Sequence, residues 1–301
     1  MSRTQRPDGN DRLTGKVALI TGAARGIGAE TARALAARGV RLVLTDVDEP
    51  PLTALAAELG EEQVLATVAD VTDLASMEAV AAAAVERFGG IDLVLANAGI
   101  ASYGSVAEVD PATFKRVLDI NVLGVFHTVR AALPSVTERQ GYILVVSSLA
   151  AFTPAPGLAA YNASKAGVEH FANALRLELG WQGVGVGTAH MSWIDTPLVQ
   201  DAKADLSAFG KMLAAMPYPL SKTTDVDSCV AAFVKALERR SRHAYVPGWV
   251  GAIAQGRNIA ASRLVQKVMD RETPRLLPLM DDEVRRLGRS TSARNTSVSG
   301  G

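Results

Sequence analysis

Residues Val17–Gly28 read VALITGAARGIG, a short apolar run that ends in threonine and then places glycines at positions 22, 26 and 28. An apolar, β-branched run bounded by turn residues predicts a buried strand. The glycines let the backbone turn sharply and approach a pyrophosphate, and a helix opening at Gly26 would supply unpaired N–H groups with a partial positive charge. A glycine-rich match alone is weak. Here it has the strand before it and the helical pattern after it that the motif needs.

The same alternation continues outward from that stretch. Strands are predicted at Val17–Thr21, Arg41–Thr45, Gln63–Val68, Ile91–Ala96, Tyr142–Val146, Gly183–Thr188 and His243–Val246. Ala-rich stretches of helical period lie near Gly26–Ala37, Pro51–Leu59, Leu74–Phe88, Pro111–Leu133 and Leu158–Leu179. Asp110–Pro111 starts one of them with an N-cap carboxylate and a proline at the first helical position. Strands joined by crossover helices predict a parallel sheet covered on both faces. With no internal repeat or dividing linker, residues 14–250 read as a single α/β domain, a doubly wound parallel sheet of about seven strands.

Past residue 190 the pattern loosens. Asp195–Met216 reads as one or two short helices in an insertion at 191–220, and Asp225–Arg239 as a surface helix before the last strand. Residues 251–287 read as a C-terminal helical extension. The polar leader 1–13 lacks the apolar centre of a secretory signal, and the Ser/Gly-rich end 288–301 resembles a linker, so both are expected to be disordered.

Composition excludes several classes. Lys plus Arg and Asp plus Glu both number 31, so no net field draws the chain to nucleic acid or anionic lipid, and a small-molecule partner is expected. The lone cysteine, Cys229, excludes an internal disulfide and a thiolate metal site, and suits a reducing cytoplasm. His127, His170, His190 and His243 show no metal spacing, so no metal is expected; His190 alone enters the insertion. The uncharged run Gln140–Ser164 carries Gly141, Pro154, Pro156 and Gly157, which a spanning helix accommodates poorly.

Asp46 ends the second strand, eighteen residues after Gly28, where a carboxylate would accept hydrogen bonds from adenosine ribose hydroxyls. With Asp48 and Glu49 it would repel a 2′-phosphate, favouring NAD over NADP. Arg25 is the counterargument, since a base in the glycine loop could pair with that phosphate. Asp70–Val71 and Asn97-Ala98-Gly99 follow the third and fourth strands, at the carboxyl edge where open α/β sheets bind ligands.

The chemistry reads from Ser148–Lys165, SLAAFTPAPGLAAYNASK. Tyr161 and Lys165 are four apart in a helical pattern, so they share a face. A phenol titrates near about 10, and lowering it by about three pH units takes about 4 kcal/mol. An ammonium about 4 Å away supplies about that at an effective dielectric of about 20. Ser148 would donate to a substrate oxygen while Tyr161 moves the proton. Strand alternation sends Ser147 and Ser148 to opposite faces, so one of them reaches the site.

With these motifs in order, together with Asn121 in NVLG, the sequence resembles the short-chain dehydrogenase/reductase family over about residues 14–250. The resemblance implies a Rossmann fold, Tyr161 as acid/base, Lys165 lowering its pKa and holding the nicotinamide ribose, and Ser148 orienting the substrate. It further implies that Asn121 holds a water relaying protons to Lys165, and that the helices at Pro111–Leu133 and Leu158–Leu179 form a homodimer or homotetramer. One departure stands out: Met191-Ser192-Trp193-Ile194-Asp195-Thr196 replaces the usual Pro-Gly loop, with Thr196 and the Ile194 backbone in place to contact the nicotinamide.

The insertion carries Met191, Trp193, Leu198, Phe209, Met212, Leu213, Met216 and Tyr218. These predict a lid over a lipophilic secondary alcohol or ketone, or else the insertion's own core. The alternatives are an NADPH-dependent 3-oxoacyl-thioester reductase and a dinucleotide-sensing protein without catalysis. Arg257, Arg263, Lys267 and Arg271 suggest a basic amphipathic helix for peripheral membrane contact, a cap on the cleft or an oligomer contact.

Overall fold

The computed structural model describes residues 12–216, 218–256 and 263–297, with 263–269 and 296–297 by backbone alone. Seven strands form one wholly parallel sheet in the order β3-β2-β1-β4-β5-β6-β7. They are β1 Val17–Thr21, β2 Arg41–Asp46, β3 Val64–Val68, β4 Leu93–Ala96, β5 Tyr142–Val146, β6 Gly185–Met191 and β7 His243–Val246. The order reverses between β1 and β4, and loops diverge there at the strands' carboxyl ends, which leaves a crevice. This is the Rossmann architecture expected from the alternation.

Continuous apolar runs build it because each central strand is buried on both faces. Ala18 and Ile20 of β1 and Leu144 and Val146 of β5 pack on one side, against helices α1 Gly26–Ala36 and α2 Glu49–Leu59 and a later helix at Val226–Arg239. Val17, Leu19, Ile143 and Val145 pack on the other. There they meet α3 Leu74–Phe88, a long helix at Pro111–Glu138 and a further helix at Ala159–Leu179.

The stretch at Pro111–Glu138 is long and apolar enough to cross a membrane by length and composition. It buries Val125, Val129, Ala132 and Val136 in the core. It divides into α4 Pro111–Leu118, a π-turn at Asp119–Leu123 and α5 Gly124–Glu138, where one helix to Leu133 was expected. The extra residue per turn swings Asn121 inward, where it is wholly buried.

After α6 Ala159–Leu179, the insertion supplies α7 Pro197–Asp205 and α8 Ser207–Ala215, and the sheet closes with α9 Val226–Arg239 before β7. The extension contains α10 Val250–Gln255 and α11 Arg263–Leu287. Met280 and Val284 of α11 join Tyr103, Leu158, Phe209 and Met212 in a third apolar cluster set apart from the sheet. Glu283 fastens α11 to the start of α8, accepting from the Ser207 hydroxyl and, at 3.0 Å, from the Ala208 N–H.

Two expectations about the ends change. Leu13, assigned to the leader, is buried in the core, while residues 1–11 lie outside the described ones. Residues 288–297, expected to be disordered, return to the body and end in α12 Ala293–Ser297. The Thr291 hydroxyl and the Ser290 carbonyl find partners there, so a polar composition does not leave the segment solvated. Of the proposed basic stripe, Arg257 and the side chains of Arg263 and Lys267 lie outside the described residues; Arg271 is exposed beside Glu272.

Candidate active site

The crevice at the switch point gathers Gly22, Arg25, Gly26, Ile27, Asp46, Asp70, Val71, Asn97, Gly99, Tyr161, Lys165 and Thr196. Gly28 acts behind this surface. A Cβ there would lie 2.2 Å from the Gly22 carbonyl oxygen, so only glycine lets the first turn of α1 close on the loop. The Asn97 amide donates to the carbonyls of Thr21 and Gly22 at 3.1 and 3.0 Å, stitching the glycine loop to β4.

Asp46 accepts N–H bonds from Ala24 at 3.0 Å and Asp48 at 3.2 Å. Burial raises its pKa, and these backbone bonds oppose the rise. Arg25, which might have taken a 2′-phosphate, is paired instead with Asp48 at 2.5 Å. A carboxylate at the ribose position and a neutralised loop arginine are the donor set that suits a dinucleotide without that phosphate. Asp70 stands exposed at the rim and accepts from the Thr72 N–H at 2.8 Å, and His127 Nδ1 lies 2.9 Å from the Val71 carbonyl.

Beside this cleft stand the proton-handling groups. Alternation along β5 turns Ser147 toward α6, where its hydroxyl donates to the Lys165 carbonyl at 3.0 Å. Ser148 faces the other way, onto the apolar cavity that Tyr161 also lines, where its hydroxyl donates to the Met191 carbonyl at 3.4 Å and accepts from the Ala150 N–H at 3.1 Å. Lys165 Nζ donates to the Val146 carbonyl at 3.0 Å and lies 5.5 Å from the Tyr161 ring centroid.

Burial drives both titrations, and not in the direction expected for the phenol. It pushes Tyr161 above its ordinary value, with the Ser148 hydrogen bond opposing, and it pulls Lys165 down to about 8. The Asn121 side chain is fully engaged: Oδ1 accepts from Ile100 N at 2.8 Å, and Nδ2 donates to Ile100 O and Ser164 Oγ, both at 2.9 Å. It therefore clamps the loop after β4 to α6.

Residues 16–207 match the sequence profile of the family described as short chain dehydrogenase. The chain belongs to that family. Trans-4-hydroxycyclohexanecarboxylate dehydrogenase of Sinomonas cyclohexanicum is 37% identical over 202 residues, covering 64% of this chain and 78% of that one. (-)-Trans-carveol dehydrogenase of Rhodococcus erythropolis is 32% identical over 267 residues, covering 78% and 96%. The crystal structure of a short chain dehydrogenase/reductase from Burkholderia phymatum in complex with NAD superposes with a TM-score of 0.73 at 26% identity, covering 83% of this chain and 95% of that one.

This short chain dehydrogenase carries a second, apolar cavity against Ser148 and Tyr161. Tyr103, Leu149, Leu158, Trp193, Phe209 and Met216 line it, with Ser148 and Tyr161 as its inner wall, around about 940 Å³ of atom-free space including its mouth. The insertion's apolar residues divide between its own core and the cavity lining. Phe209, Met212 and Leu213 are buried, while Trp193 and Met216 face the cavity and Tyr218 is exposed. Ile194 lies on this cavity rather than in the dinucleotide cleft, and Thr196 lines both.

The loop that lacks Pro-Gly is held by pairing with Thr224, whose N–H donates to Trp193 O at 2.8 Å and whose carbonyl accepts from Asp195 N at 2.9 Å. His190 is fully buried in β6 behind Ser148 rather than in the insertion. Its Nε2 lies 3.0 Å from the Thr188 hydroxyl, which lies 3.0 Å from His243 Nδ1, and its ring stacks on Tyr245. Sequence reading missed this network and the packing of Met280 and Val284 of α11 into the third apolar cluster, since nothing in the local pattern reports contacts so distant along the chain.

Proposed function

We propose that this dehydrogenase interconverts a bulky lipophilic secondary alcohol and its ketone, with NAD as hydride carrier. The observation that carries the reading is that Tyr161 belongs to both the dinucleotide cleft and the apolar cavity. A group placed there can exchange a proton with a substrate while a hydride crosses beside it. The two relatives named above, a cyclohexane-ring and a terpene alcohol dehydrogenase, support an alicyclic substrate.

The cofactor is NAD. Asp46 holds the adenosine ribose, Gly22–Ile27 face the diphosphate, and Lys165 and Thr196 meet the nicotinamide side. Bound and oxidised, NAD supplies the hydride acceptor and a positive charge that favours the phenolate. In alcohol oxidation the Tyr161 oxygen takes the hydroxyl proton, while the Ser148 hydroxyl holds the substrate oxygen; in ketone reduction the proton returns along the same path. Thioester reduction with NADPH has less support, because Asp46 stands where a base would be needed and Arg25 is occupied.

Replacing Tyr161 with Phe should leave NADH binding, read by fluorescence titration, within about twofold. Turnover of cyclohexanol- and terpene-type alcohols should fall by about 10²-fold or more. Near-normal turnover, or turnover of small polar polyols alone, would refute the assignment. We further infer a homodimer through α4–α6, where Leu123 and Phe126 are 42% and 40% exposed on one side of the helix pair.

A further inference from the structure

The C-terminal segment 289–295 lies across the mouth of the dinucleotide cleft and is tied to both rims. On one rim, the Tyr103 N–H donates to the Ser290 carbonyl at 2.7 Å and the Thr291 hydroxyl donates to the Ala101 carbonyl at 2.8 Å. On the other, Arg289 forks onto the Asp205 carboxylate of α7 at 2.8 and 3.0 Å. That pair is largely sheltered, with the guanidinium 19% and the carboxylate 24% exposed. Ser290, Thr291 and Ser292 are buried at 3, 7 and 3% exposure. A strap held by a bidentate pair and two backbone-directed bonds has a defined position rather than a frayed one.

Beyond this anchorage, Ser292, Arg294 and Asn295 line the cleft that also contains Gly22, Gly26 and Thr196. Pro197 comes close to the glycine loop, since a Cβ on Gly26 would lie 3.5 Å from its ring, and Asp201 stands one helical turn further along α7. Arg294 meets Asp201 at 3.5 Å, a loose pair with the guanidinium 40% exposed. Arg25, in the glycine loop, is bound closely to Asp48 at 2.5 Å. A diphosphate carries two negative charges, and guanidinium recognises phosphate oxygens in a fork.

We propose that the C-terminal strap forms the outer wall of the cofactor site, with Arg294 turning from Asp201 to the dinucleotide diphosphate when the cofactor binds. The inference rests on the dinucleotide reading above and extends it to a segment beyond the matched family region, which ends at residue 207. Asp201 then acts as a resting partner that competes with the cofactor for the same guanidinium.

The two partners therefore have opposite effects, which a merely structural ion pair would not show. In the full-length protein, Arg294→Ala should raise the NADH dissociation constant about tenfold and flatten its dependence on salt, as a lost charge-assisted contact does. Asp201→Asn should lower that constant severalfold. ADP-ribose, which retains the diphosphate and lacks nicotinamide, should respond to Arg294→Ala in the same way. Circular dichroism and melting temperature verify that each variant is folded. If both variants weaken NADH binding alike, or if Arg294→Ala leaves it within twofold while the wild type binds tightly, the strap role is overturned and the NAD assignment stands. A folded wild type that binds no NADH overturns both.

Discussion

Lys165→Met should make the protein more stable at neutral pH while abolishing its chemistry, and the stability gain should vanish in alkali. Burial lowers the Lys165 pKa from 10.5 to about 8. Between these values the unfolded chain holds the proton and the folded chain releases it, so wild-type stability rises as pH climbs through the window. At pH about 6.5 the folded state bears the whole cost of the buried ammonium, about 3 kcal/mol, and at pH about 9.5 only about 1 kcal/mol. Methionine has a similar length and no charge, but it loses the 3.0 Å bond to the Val146 carbonyl, worth about 1 kcal/mol. The variant should thus exceed wild type by about 2 kcal/mol at the lower pH and equal it at the higher. Urea unfolding followed by tryptophan fluorescence without added dinucleotide reads both numbers. A difference constant across that range would refute the desolvation argument.

The double change Asp46→Ser with Asp48→Ser removes the ribose carboxylate and releases Arg25, so the ratio of NADPH to NADH affinity, measured by fluorescence titration, should rise by about 10²-fold; Asp46→Ser alone, with Arg25 still paired, should raise it less. Phe126→Asp should shift the particle from dimer to the 31.6 kDa monomer in sedimentation velocity, while circular dichroism stays unchanged, because the side chain is already 40% exposed.

Much of the sheet was legible because β1 and β5 are buried along their whole length, and an uninterrupted apolar run has few other ways to be satisfied. The catalytic side chains were legible as residue types at fixed spacings, and strand alternation narrowed the serine to two. What escaped depended on contacts between distant stretches. The π-turn at Asp119–Leu123 has no composition of its own. The strap's Ser, Thr and Asn composition signals disorder until Ala101 is known to accept from Thr291, Tyr103 to donate to the Ser290 carbonyl and Asp205 to pair with Arg289. The phenol's raised pKa likewise followed from burial depth, which spacing does not encode.

The third apolar cluster draws its buried residues from 101–103, 158, 199–212 and 280–284, and from none of the seven strands. The buried residues of this cluster thus occupy different covalent stretches from Gly22–Gly28, proposed to hold the dinucleotide, and meet Ser148–Lys165, proposed to handle the proton, only at Leu158. Mutations can accumulate in one set without disturbing the other, so a lineage built on this plan can change diet while its hydride chemistry stays still.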